Sequence, residues 1–229
     1  MIEKHKTNRT LGLKVKKHLQ GLGLETPMID DGSTQLFKLK TIADSFKTIM
    51  ETMNLNLTDD SLQDTPNRVA KMFVQETFSG LDYDNFPKIS SFEKPATHDG
   101  SFVLVRNLTV HSFCEHHFVP FTGFATIAYV PSKKIVGLSK LNRVVNFFSR
   151  RPQVQERLCE QIKEALKVVL ETEDVAVYIN ADHLCVKLRG VQDQNSSTDT
   201  LAMSGTFADK DDDGARREFL AYIHDMRRK

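Results

Sequence analysis

The strongest constraint on the fold is a double change of hydrophobic period between residues 101 and 207. Segments 101–106, 108–113 and 121–130 are rich in β-branched and aromatic residues. Within the last of them Ala125, Ile127 and Tyr129 alternate with Phe124, Thr126 and Ala128, the period of a strand, and Pro131 stops it. Apolar residues then recur at helical spacing. Leu141, Val144, Val145, Phe147 and Phe148 predict a helix over 140–150, with Ser139 as its cap. Val154, Leu158, Ile162, Ala165, Leu166 and Val169 predict a second, from Pro152 to about Glu171. Segments 175–179 and 183–188 read as a hairpin turning at Asn180-Ala181-Asp182, and 198–207 as a further strand. Strands, two helices and strands again describe an antiparallel sheet with its helices on one face, an α+β domain spanning 101–229 with a closing helix over 215–226. An open sheet has two edges that must be paired or covered. Joining sheets between copies of the chain is the economical solution, so a ring-like homo-oligomer is expected.

Residues 1–100 read as a helical N-terminal extension. A short basic helix is expected over 11–20, ended by Gly21 and Gly23, then a loop around Pro27, Asp30, Asp31 and Gly32. Apolar positions 36, 39, 42, 43, 46, 49, 50 and 53 predict an amphipathic helix over 34–54. Thr65-Pro66 marks another helix start, with Thr65 as N-cap, and Gly80 marks its end. Residues 81–100, with Pro87, Pro95 and Gly100, and the acidic stretch 209–214 read as loops.

A formal net charge of +1 gives no bulk argument for nucleic acid or membrane partners. The N-terminus lacks the apolar core of a signal peptide, and no apolar run reaches the ~18 residues of a membrane helix. Three cysteines, Cys114, Cys159 and Cys185, do not make a disulfide framework and suit a reducing compartment. A cytoplasmic protein is expected.

Chemistry concentrates at His111-Ser112-Phe113-Cys114-Glu115-His116-His117. Thiolate sulfur and imidazole nitrogen are the ligands that zinc selects, and Cys114-x-x-His117 lets both reach one ion. On an extended strand the two would point to opposite faces, so the chain must turn across Glu115-His116. Asp182-His183-Leu184-Cys185 is the second such cluster. Cys185 could complete a Cys/His/Cys set, leaving a tetrahedral position for water. His116 and His183 then become proton carriers beside it. The alternative is that Cys185 is a small buried hydrophobe and the histidines are satisfied core or surface residues, but two clusters that each hold Cys and His favour metal. Cys159, beside an apolar stripe, reads as packing.

Residues 116–155 contain no Asp or Glu but hold Lys133, Lys134, Lys140, Arg143, Arg150 and Arg151. That pattern is either an anion-binding surface or a solvated basic face. Ser139-Lys140 at a helix start favours phosphate, and Arg189 adds a cation after the Cys185 segment. Aromatic residues are not interleaved with these cations as stacking platforms, so a phosphorylated small molecule fits better than nucleic acid. Glu156 lies about 120° from the centre of the apolar stripe at roughly 100° per residue, the position of an ordinary solvated glutamate. Gln155 falls nearer the apolar side.

Cys114-Glu115-His116-His117, Gly137-Leu138-Ser139-Lys140-Leu141-Asn142-Arg143, Arg151-Pro152-Gln153-Val154-Gln155-Glu156-Arg157-Leu158, His183-Leu184-Cys185 and Arg189-Gly190-Val191 together closely resemble GTP cyclohydrolase I. The likeness extends through Thr65-Pro66-Asn67-Arg68 and Phe78-Ser79-Gly80-Leu81 and covers about residues 40–225. The resemblance implies the tunnelling fold, in which subunit sheets close into a barrel, and a decamer of two pentamers with sites between subunits. It implies conversion of GTP and water to formate and 7,8-dihydroneopterin triphosphate, the first step toward folate-type pterins. Cys114, His117 and Cys185 would hold Zn2+. His116 and His183 would move protons. Glu156, assisted by Gln155, would grip the guanine edge. Ser139, Lys140, Arg143, Arg189, Arg68 and Lys71 resemble the triphosphate and ribose contacts. Alternatives are a fold relative that binds purine or pterin with different chemistry, or an oligomer with structural zinc that binds nucleotide for regulation.

Overall fold

The computed structural model describes residues 4–29, 31–94, 101–210 and 214–226. Asp30, Pro95 and Gly100 of the expected loops, and residues 211–213 of the acidic stretch, lie outside the described set.

Three helices open the chain: α1 (Arg9–Gly21), α2 (Gln35–Thr52) and α3 (Thr65–Lys71). Asn8 caps α1 by accepting from the Leu11 N–H, and Thr34 caps α2 by accepting from Phe37. Thr65 is not the cap of α3 but its first helical residue. The flanking Asp64 makes no side-chain cap, because its carboxylate is occupied by Asn67 and Arg68. The chain runs on through a π-helical turn, Met72–Thr77, into a tight turn at Ser79–Leu81. Gly80 is required there: a Cβ would sit 2.0 Å from the Phe147 carbonyl oxygen.

The sheet region follows as β1 (Ser91–Glu93), β2 (Val103–Cys114), β3 (Pro120–Tyr129), β4 (Lys134–Val136), α4 (Leu138–Ser149), β5 (Pro152–Gln153), α5 (Gln155–Leu170), β6 (Val175–His183), α6 (Leu184–Lys187), β7 (Thr198–Met203) and α7 (Ala215–Met226). The main sheet has the order β5-β2-β3-β6-β7 and is antiparallel except for the short β2–β5 pairing. β1 and β4 form a separate two-stranded ribbon.

Further sequence expectations change in the sheet region. The two strands expected over 101–113 are one strand, β2, with a register shift between Val105 and Leu108 and Asn107 at φ +58°. The expected hairpin at Asn180-Ala181-Asp182 does not exist. β3 offers a full row of partners, so β6 runs straight through those residues to His183, with Gly123 opposite Ala181. A Cβ on Gly123 would lie 2.0 Å from the Asn180 carbonyl oxygen, so only glycine lets the strands meet. Residues 184–187 then form one helical turn, not a strand. Pro152 does not open a helix; it pairs with Phe113, and α5 begins at Gln155. Ser139 lies in the first turn of α4, whose N-cap is Gly137.

α4 and α5 cover one face of the sheet, as their stripes require. Val144, Phe148, Leu158, Ile162 and Leu166 bury against Val110, Ile127, Val177 and Ile179. Each such side chain contributes roughly 1.5–3 kcal/mol by leaving water. Val15 and Leu19 of α1 and Tyr83 and Phe86 belong to this same core. The opposite face is covered at one end by α7, where Phe219 and Ile223 meet Phe207, Ala128, Ala176 and Tyr178.

Candidate active site

Cys114 is the last residue of β2, and a turn follows at residues 115–117. The Cys114 N–H donates to the Val119 carbonyl at 2.9 Å, and Phe118 donates back to the Cys114 carbonyl at 2.8 Å. Phe118 closes the turn at φ +53°. The turn brings His117 round to the side of Cys114. Cys185 comes from α6, the helical turn that leaves β6. Cys114, His117 and Cys185 place one sulfur or nitrogen atom each within 4.8 Å of the others. Cys185 therefore joins the set from a helical turn, and not from a strand face shared with His183.

The donor set fits zinc. Two thiolates and an imidazole are a common zinc ligand set, and three protein ligands match the pattern of a catalytic zinc site. Burial pushes the Cys185 thiol pKa up, and the adjacent Cys114 sulfur adds to the rise, while the Arg189 cation opposes it. Two sulfurs this close do not readily ionise together, and a bound cation reverses that preference. Arg189 Nη1 lies 3.0 Å from His117 Nε2. Arginine can only donate, so this nitrogen is the acceptor, and the guanidinium must give way if Nε2 is to bind an ion. His116, exposed, has its Nδ1 3.7 Å from the Cys114 sulfur.

His183 ends β6 and stacks on Phe121, ring centroids 4.6 Å apart. Its Nε2 is 2.8 Å from Gln155 Oε1. Gln155 is buried, and its Nε2 donates to Ile179 O, Thr198 O and, at 3.1 Å, Thr200 Oγ1. These acceptors orient the amide, so Oε1 must accept from His183 Nε2–H, leaving Nδ1 with the lone pair. Burial lowers the His183 pKa, with the charges of Glu156 and Asp182 opposing. Glu156 itself is exposed in the first turn of α5.

The remaining expected residues are not gathered in one chain. Ser139 is exposed, and Lys140 and Arg143 half-buried, on α4. Among the described residues no hydrogen bond or ion pair joins them to the cysteine–histidine cluster. Arg68 pairs with Asp64 at 3.1 Å, and Lys71 lines a cleft between α2 and α3 with Leu36, Leu39 and Asn67. The basic stretch also divides. Arg151 is fully buried and pairs with Glu25 at 3.0 Å. Arg150 donates to Asn146 Oδ1 and the Glu76 carbonyl, and Lys134 pairs with Glu171 at 3.5 Å. These three do not form an anion-binding surface. Cys159 is packing, as expected: buried, pushed up to about 12 by desolvation, its sulfur 3.3 Å from the Val177 carbonyl.

Sequence reasoning missed three residues that hold the turn between Cys114 and His117. Glu115 pairs with Arg157, and Arg157 Nε donates to Gln153 Oε1 at 3.1 Å. Nothing in the spacing of 115, 153 and 157 announces these contacts, which depend on the β2–β5 pairing.

The family model described as GTP cyclohydrolase I matches residues 42–224. A GTP cyclohydrolase 1 of Shewanella sp. (strain ANA-3) is 52% identical over 208 residues, covering 91% of this chain and 95% of the relative. GTP cyclohydrolase 1 proteins of Mannheimia succiniciproducens and Pasteurella multocida are each 50% identical over 211 residues, covering 92% of this chain and 95% of each relative. The matched span runs from α2 through α7 and so contains every element that carries the cluster, and on that likeness this chain belongs to the GTP cyclohydrolase I family.

Proposed function

We propose that this chain is a GTP cyclohydrolase I that opens the purine ring of GTP at C8, releasing formate and forming 7,8-dihydroneopterin triphosphate. The observation that carries the reading is the Cys114/His117/Cys185 set with the Gln155–His183 pair nearby. Cys114, His117 and Cys185 would hold Zn2+. When bound there, zinc supplies Lewis acidity that brings water into its nucleophilic range near neutral pH.

The chain's own groups do the rest. Glu156 accepts hydrogen bonds from the guanine amide and amino groups, which would otherwise lose their partners on leaving water. Gln155 acts through His183, holding its ring so that Nδ1 faces outward. Burial keeps His183 neutral at pH 7. It takes a proton as water adds to C8 and returns it to the departing ring nitrogen, with His116 as second carrier. Ser139, Lys140, Arg143, Arg189, Arg68 and Lys71 meet the triphosphate and ribose. Several of these lie apart from the cluster in one chain, which supports a site shared between subunits of a tunnelling-fold decamer. Residues 101–229 form the catalytic domain, residues 1–100 its extension, and the protein works in the cytoplasm.

The test is formate release from GTP by purified protein before and after metal stripping, with zinc add-back. Formate and a fluorescent oxidised pterin, lost on stripping and restored by zinc, are expected. Bound zinc without formate would favour a fold relative with different chemistry or a regulatory nucleotide-binding role. Light scattering checks the decamer.

A further inference from the structure

The turn that carries Cys114 and His117 is tied to helix α5 by a side-chain clamp that the assigned chemistry does not use. Glu115 lies between the two ligands, and its carboxylate meets the Arg157 guanidinium. Both side chains are largely shielded, at 29% and 16% exposure. The same guanidinium donates to Gln153 Oε1 at 3.1 Å and reaches the Pro152 carbonyl at 3.5 Å. Gln153 is itself fixed, its Nε2 donating to Phe148 O and, at 2.7 Å, Gln161 Oε1. Its carbonyl accepts the Glu115 N–H at 3.0 Å. One planar fork thus touches the metal turn, the β5 strap and α5 together.

Arg157 directly follows Glu156 in the first turn of α5. We infer that Glu115 and Arg157 are positioning residues that fix the metal turn relative to the end of α5 that presents Glu156. The inference rests on reading Cys114, His117 and Cys185 as metal ligands and Glu156 as the base-holding carboxylate. A fork is needed because three acceptors in different directions must be held at once. A lysine offers charge without that geometry.

The experiment compares Glu115→Gln, Arg157→Met, Arg157→Lys and the double variant Glu115→Gln/Arg157→Met with the unaltered full-length protein. Zinc affinity is measured by chelator competition, the ligand-field spectrum after cobalt(II) substitution, and kcat and KM for GTP separately. Zinc affinity is expected to fall about 10- to 100-fold, as when outer partners of metal ligands are removed. The cobalt band should move and kcat should fall more than KM rises. The double variant should be no weaker than the worse single, because both remove one interaction. Arg157→Lys should behave like Arg157→Met. Wild-type zinc affinity with an unshifted cobalt band in the singles, or losses that simply add in the double, would overturn the clamp. Glu115→Gln is isosteric, so it carries the test if Arg157→Met does not fold. Formate release by the unaltered protein tests the enzymatic reading, while metal affinity of the variants tests the clamp, so the two can fail separately.

Discussion

Arg151 and Glu25, 126 residues apart in sequence, form an ion pair of 3.0 Å in which the arginine side chain is fully buried. Arg151 also donates to Thr26 Oγ1 and the Gly80 carbonyl, and its guanidinium lies over the rings of Tyr83, Phe147 and Phe148. The pair joins the segment after α1 to the strap beside Cys114. Ser112 Oγ also donates to the Arg151 carbonyl at 3.3 Å. Arg151→Met leaves the shielded Glu25 carboxylate without its cation, with the Tyr83 hydroxyl and the Thr26 N–H still donating to it, so a loss of up to about 3–5 kcal/mol is expected. Adding Glu25→Gln should recover part of it. Urea denaturation of the single and double variants measures both.

Stability should fall in acid through Glu164. This side chain, 7% exposed, meets His18 of α1 at 2.8 Å and Lys167 at 3.2 Å. Burial raises its pKa, but the hydrogen bonds from His18 and Lys167 and the charges of Lys163 and Lys167 outweigh that, and the net value lies below the usual 4.5. A depressed folded pKa stabilises above the unfolded value and loses that share as pH drops through the folded one. The melting-temperature difference between the unaltered protein and Glu164→Gln should therefore be largest above pH 5 and shrink below about 4. A difference independent of pH would contradict this.

The three cysteines should separate by reactivity. Cys159 is 1% exposed and its thiol is pushed up to about 12, so it carries almost no thiolate at pH 8. In native metal-stripped protein, alkylation followed by peptide mass spectrometry should label Cys114 and Cys185 slowly, because both are buried and the Cys185 thiol is also pushed up, and leave the more deeply buried Cys159 unlabelled. Zinc should protect those two, and urea should expose the third. Early labelling of Cys159 would mean that its helix opens.

Substitutions around the cluster should divide by role. Gln155→Leu removes the donor to three acceptors and frees His183, so it should lower kcat with little change in KM and destabilise by about 1–3 kcal/mol. Glu156→Gln should instead weaken selection of GTP over ATP at nearly unchanged stability, since the carboxylate is exposed. His183→Ala should keep zinc and lose ring opening; loss of zinc would mark it as a ligand. Steady-state kinetics with metal analysis distinguishes these outcomes.

The sequence by itself determined the elements and the donors. Helical period over 140–150 and strand alternation over 121–130 are local properties, and both became α4 and β3 with small shifts at their ends. Cys114, His117 and Cys185 were legible as a set because few residue types offer sulfur or imidazole nitrogen. The role proposed for Glu156 rests only on the family resemblance, because an exposed glutamate in a helix's first turn has no distinguishing period.

Tertiary structure decided what depends on a distant partner. Asn180-Ala181-Asp182 has turn composition, yet a full row of β3 partners keeps it extended. Pro152 has a helix-start position, yet pairing with Phe113 holds it in the strap. Arg151 looks like its solvent-facing neighbours in the basic stretch, yet Glu25 and three aromatic rings draw it inside. In each case local propensity is worth about 1 kcal/mol or less, while strand pairing or a buried, paired charge involves several. Composition records only the smaller of the two.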